Sequence, residues 1–244
     1  MGKKFEIVRE FEVPSSPEQV WEAITTGTGG WLWPMEYEPR TGGAAPFGGT
    51  VTAWDPPHRL TARSEGEVEG AENQTLNQLD HVIEPRENGS WVRYVHSGIF
   101  VDDWDNQYDG ANQHTDFYLH TLRQYLAHFP GRPAAYTAVE GPAASAAPGS
   151  FDAVRRGLGL ADDAAEGARV RVEPTGIAPL DAVVDYRGAH FIGLRTDDAL
   201  YRFFGRDAFG APVGVAVHEF AAGADRKETE RVWQDWLTGL FARP

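Results

Sequence analysis

The chain has 244 residues, enough for one large domain or two small ones, with 41% hydrophobic and 24% charged residues, ordinary proportions for a globular protein. Its formal net charge of −14 argues against nucleic-acid partners and anionic membrane surfaces, because both require a basic face. It has no cysteine, which rules out disulfides and thiolate metal sites and fits a cytoplasmic location.

Met1-Gly-Lys-Lys-Phe-Glu6 carries no apolar run, so no signal peptide is expected, and no stretch of about 18 apolar residues predicts a membrane span. Residues 5–13 alternate around Phe5, Ile7 and Phe11 and read as an opening strand. Ser16-Pro-Glu-Gln19 starts a helix. Ser16 can cap it, Pro17 suits the first helical position, and Gln19 can close a capping box. Val20, Trp21 and Ile24 would form its buried face, with Gly27, Gly29 and Gly30 ending it. Trp31, Leu32 and Trp33 are expected to form a second short helix before Pro34.

Short strands are predicted at 48–54, 60–65, 74–84 and 90–99, the last two joined by the turn-rich Pro85-Arg-Glu-Asn-Gly89. Glu65, Glu67, Glu69 and Glu72 form an acidic run that reads as a solvated loop. Residues 105–129 predict a long helix. Leu119, Leu122, Leu126 and Phe129 form one stripe, and His114, Phe117, Thr121, Tyr125 and His128 form the next. Pro130-Gly131 stops it.

Residues 131–150, rich in Pro, Ala and Gly, are expected to link a first domain at 1–130 to a second α+β domain at 151–244. A strand is nonetheless possible at 135–140. A short helix is expected at 150–158, with strands near 168–173, 181–187, 189–195, 199–204 and 213–220. Asp225-Arg-Lys-Glu228 opens a closing helix that puts Val232, Trp233, Trp236, Leu237 and Leu240 on one face. Strand, helix, several strands and long helix thus occur twice, and the second domain reads as a degenerate copy of the first.

Several features of residues 5–129 together resemble the family related to the activator of Hsp90 ATPase, SRPBCC proteins of the START/Bet v 1-like superfamily. They are Ser16-Pro17-Glu18, Val20-Trp21, Ala23-Ile24-Thr25, Trp31 or Trp33, Gly42-Gly43, Gly48-Gly49 and Asp55-Pro-Pro-His-Arg-Leu60. Gly89-Ser90, Val92, His96-Ser97-Gly98, Phe100, Leu119, Leu122 and Tyr125-Leu126 complete the match. The resemblance implies an α+β helix-grip, an antiparallel sheet wrapped around a long C-terminal helix, with a cavity between them for an apolar or amphipathic ligand. His114-Thr115 stand where relatives usually have Gly-Trp, which alters the expected cavity mouth.

Alternation across the predicted hairpin selects the inward side chains. Val92, Tyr94 and His96 point one way, matched by Leu79, His81 and Ile83 on the facing strand. With Phe117, Thr121 and Tyr125 from the helix, they make the candidate ligand-binding set. No metal set is evident among the eight histidines. Asp102–Gly110 is similar to a calcium loop but lacks its central glycine and closing glutamate. No nucleotide-binding or hydrolase motif occurs, so neither catalytic residues nor a cofactor are expected. The expectation is therefore a non-catalytic small-molecule binding protein. The alternatives are a protein-interaction module using Trp31 and Trp33, or, by resemblance, a polyketide cyclase/aromatase-like enzyme.

Overall fold

The computed structural model describes residues 2–66, 73–161 and 163–242. Glu67, Glu69 and Glu72 of the acidic run lie outside the described residues. The chain divides into two compact units, Met1–Arg132 and Pro133–Pro244. Each is an α+β helix-grip built on a six-stranded antiparallel sheet.

The first unit runs β1 (Lys3–Val13), α1 (Pro17–Ile24), β2 (Ala44–Ala45), β3 (Gly49–Asp55), β4 (Arg59–Glu65), β5 (Gln74–Arg86), β6 (Gly89–Phe100) and α2 (Trp104–His128). Its strand order is β1-β6-β5-β4-β3-β2. The capping box forms as its residues dictate. The Ser16 hydroxyl accepts from the Gln19 N–H, and the Gln19 side chain accepts from the Ser16 N–H at 3.0 Å. Trp31–Trp33 are not helical. A 3-10 turn at Thr28–Gly30 comes first, and the three glycines around it leave no run long enough for a further helix.

Polar contacts tie α2 to the edge strand β1. Arg9 grips Asp116 through two hydrogen bonds, at 2.6 and 3.0 Å, and Asn112 through a third at 2.8 Å. Further along, the Arg123 guanidinium lies 4.5 Å over the Phe11 ring, and the Ser15 hydroxyl donates to the Leu126 carbonyl. The helix therefore tracks one margin of the sheet. At mid-sheet α1 packs on β5 and β6, where Ile83 and Val92 are wholly buried. The site described below lies toward the other end of β5 and β6.

The second unit runs β7 (Ala135–Glu140), α3 (Phe151–Leu158), β8 (Arg169–Val172), β9 (Leu180–Arg187), β10 (Phe191–Arg195), β11 (Ala199–Phe204), β12 (Gly214–Glu219) and α4 (Arg226–Leu240). Its order, β7-β12-β11-β10-β9-β8, repeats that of the first sheet. The stretch read as a linker at 131–150 holds β7, paired with β12, and a 3-10 turn at Ala143–Ala146. The strand read at 135–140 within that stretch forms with those bounds. Asp225 caps α4 by accepting from the N–H groups of Lys227 and Glu228. Trp233 and Trp236 from α4 fill the interior. Trp233 meets Tyr201 at 5.7 Å and Phe203 at 5.6 Å, and the two indoles lie 5.3 Å apart. Val184, Leu194, Val215 and Val217 complete this core.

Candidate functional site

A cavity of about 270 Å³ opens in the first unit between the sheet and the N-terminal half of α2. The pairing of β5 with β6 sets its floor. Leu79 stands opposite His96, His81 opposite Tyr94, and Ile83 opposite Val92. Residues of one parity share a face of a strand, so these six point to the same side. Leu79, His81, Tyr94 and His96 line the cavity, with Gln74 and Asn77 extending the floor.

Ile83, Val92, Phe117, Thr121 and Tyr125, also predicted for the site, do not line it. All five are buried in packed core. The Thr121 hydroxyl donates to the Phe117 carbonyl at 2.9 Å. The Tyr125 ring lies against Gly30, where even a Cβ would overlap it, and its hydroxyl donates to the Arg132 carbonyl at 3.3 Å. The helix instead contributes Ala111, His114, Thr115, Tyr118 and Leu119, one stripe at helical spacing nearer its N-terminus.

Sequence reasoning also missed the roof. Trp31, Leu32, Trp33, Met35 and Tyr37 come from the irregular segment after α1, and Phe47 from the turn before β3. Phe47 adopts the left-handed conformation, with φ of 62°, uncommon for a bulky residue. Trp33 sits edge-on between Phe47 at 6.1 Å and Tyr118 at 5.6 Å. Of the two indoles read as an alternative protein-contact surface, one is buried and the other belongs to the cavity wall. Trp31 is 4% exposed and donates its indole N–H to the Ala23 carbonyl at 2.8 Å, while Trp33 is half-buried in the cavity wall.

Burial favours the neutral form of four polar groups of the cavity, His81, His96, Tyr37 and Tyr94. Burial pushes the His81 imidazole down to about 4, against a weaker upward pull from Asp80. Asp80 is itself held by the Thr61 hydroxyl at 2.5 Å and by Arg59 at 3.2 Å. Burial also pushes His96 down to about 4 and Tyr37 up to about 12. Tyr94 is raised as well, by burial first and then by the nearby Tyr37 and Tyr118, although a hydrogen bond with Thr115 opposes this.

These groups differ in what they have left to offer. His96 Nε2 is 2.8 Å from Asn77 Oδ1. His114 Nδ1 is 2.8 Å from the Gly110 carbonyl, which can only accept, so that nitrogen carries the proton. His81 has its ring 5.0 Å from Tyr94, and neither of its buried nitrogens meets a hydrogen-bonding partner among the described residues. Among the described residues no group of three or more His, Asp or Glu side chains is placed to hold a metal ion. Nor, among them, is any helix long and apolar enough to cross a membrane.

No family model matches the chain, and no curated protein matches it. Solved structures do. DynU16, from the dynemicin biosynthetic locus, is 15% identical over 96% of both chains, with a TM-score of 0.41. The Aha1 dimer from Colwellia psychrerythraea is 21% identical, covering 50% of this chain and 96% of that one, with a TM-score of 0.39. CalU16 from Micromonospora echinospora is 16% identical, covering 53% and 86%, with a TM-score of 0.41.

Proposed function

We propose that the first unit is a non-catalytic binding module for a small apolar or amphipathic molecule, in the manner of START/Bet v 1-like SRPBCC proteins. The observation that carries this is an aromatic-walled cavity holding a buried histidine with both ring nitrogens unpartnered. Buried polar groups are normally satisfied, and leaving one bare is costly unless something else supplies the bond. Apolar walls with a few polar tips are the usual composition of a small-molecule site.

The same chemistry favours binding over catalysis. A general base works best with a pKa near the working pH, whereas His81 and His96 are held at about 4 and Tyr94 is raised. Among the described residues no carboxylate lines the cavity to orient or activate an imidazole. Burying about 200 Å² of ligand surface yields a gross gain of roughly 5 kcal/mol at ~25 cal/mol per Å². Association costs reduce it, so micromolar affinity is the natural range.

Native mass spectrometry of the purified chain, followed by solvent extraction, tests the proposal. A non-covalent adduct is expected, and it should be lost in Ala111→Trp, which places an indole in the cavity. Absence of any adduct, together with no saturable uptake of a solvatochromic dye, would overturn it.

A further inference from the structure

The wall of the cavity restricts what can enter it. Among the described residues its lining contains no Lys, Arg, Asp or Glu. The carboxylate nearest His81 in sequence, Asp80, is committed to Thr61 and Arg59. A ligand carboxylate or ammonium would lose its hydration there and meet no counter-charge.

The rings form a box of edges and faces. Trp33 stands at 73° to Phe47 and at 85° to Tyr118, and His81 at 62° to Tyr94. Such walls favour flat, ring-bearing molecules, which gain offset and edge-to-face contacts beyond their buried area. The volume of about 270 Å³ lies just below the range of about 300–1,000 Å³ typical of drug-sized sites, which suits one or two fused rings.

His81 supplies the orienting bond. A neutral imidazole offers one N–H and one lone pair, and here both are unclaimed by the described residues. A ligand hydroxyl can donate to the lone pair, or a carbonyl can accept from the N–H. His96, His114 and Tyr94 are already engaged by Asn77, Gly110 and Thr115.

Resting on the binding reading above, we infer that the ligand is an uncharged mono- or bicyclic aromatic compound whose hydroxyl or carbonyl group bonds to His81. The site discriminates against carboxylates, amines and plain alkyl chains.

Calorimetric titration of the full chain at pH 7 with β-naphthol, naphthalene, β-naphthoate, β-naphthylmethylamine and decanoate tests this. The neutral naphthol should bind at least about tenfold tighter than either charged analogue, and about tenfold tighter than naphthalene, as expected for one good hydrogen bond. In His81→Leu the naphthol should fall to the naphthalene level, with naphthalene itself unchanged. Should that variant fail to fold, the His81 imidazole ¹⁵N resonances of the unmodified chain provide the second readout, moving with naphthol and not with naphthalene. Equal or tighter binding of β-naphthoate or decanoate, or static His81 resonances, would overturn the inference while leaving a ligand-binding cavity. Failure of all five probes to bind would overturn the inference and the binding proposal together.

Discussion

Replacing His81 by leucine should make the first unit more stable and less sensitive to acid. Leucine has a similar size and carries no polar atoms, so the change removes two buried, unpartnered nitrogens, worth about 1–3 kcal/mol at pH 7. The acid effect follows from proton linkage. The unfolded imidazole protonates as pH falls through 6.5, the folded one only near 4. Between those values the unfolded state binds more protons, so stability declines as pH drops from 6.5 to about 4 and then levels off.

The full effect is about 3 kcal/mol at ~1.4 kcal/mol per pH unit, of which about 2 kcal/mol is lost by pH 5. The assay is urea unfolding at pH 7 and pH 5, followed through the amide signals of β5 and β6 so that the first unit is observed by itself. Other titrating groups act on both proteins and cancel in the comparison. The unmodified chain should lose about 2 kcal/mol more than His81→Leu between the two pH values. Parallel losses, or a His81 resonance titrating near 6.5, would refute the reasoning.

Three further substitutions probe the architecture. Ala111→Trp should abolish β-naphthol binding while leaving the far-ultraviolet circular dichroism intact, because Ala111 lines the cavity and is only half-buried. Thr121→Trp should cost about 1–3 kcal/mol by overpacking, seen as a lower urea midpoint, because Thr121 is 1% exposed and lies outside the cavity. In the second unit, Gly193→Ala would push a Cβ into the Asp185 carboxylate and the Arg202 guanidinium, which form a buried bidentate pair at 2.8 and 3.0 Å. Breaking such a pair costs about 3–5 kcal/mol, so a midpoint unchanged from the parent would contradict this packing.

The parts of the site legible in the sequence are those governed by local rules. Alternation of side chains along a strand put Leu79, His81, Tyr94 and His96 on one face, and the pairing of β5 with β6 keeps them there. Capping chemistry placed the start of α1 at Ser16 and of α4 at Asp225. The helix contribution was displaced toward the C-terminus, to Phe117, Thr121 and Tyr125. Both stripes of α2 carry apolar residues, and the choice between them depends on where the helix is pinned. The Arg9–Asp116 bridge helps set that position across 107 residues of chain, which no local pattern reports. The roof was illegible for a different reason. Trp31–Tyr37 has neither helical nor strand periodicity, and Phe47 reaches the cavity through a left-handed turn residue.

In each sheet the strand made first pairs with the strand made last. On the ribosome, β1 must wait for Gly89–Phe100 to emerge, a delay of roughly 4–20 s at about 5–20 residues per second. During that interval its backbone is an open template for other nascent chains. Lys3, Lys4, Glu6, Arg9, Glu10 and Glu12, interleaved with its apolar residues, are the charges that discourage such pairing. The corresponding strand β7, Ala-Tyr-Thr-Ala-Val-Glu, waits for Gly214–Glu219 with a single charge, at Glu140. Of the two halves, the second is the more exposed to aggregation while it is being made.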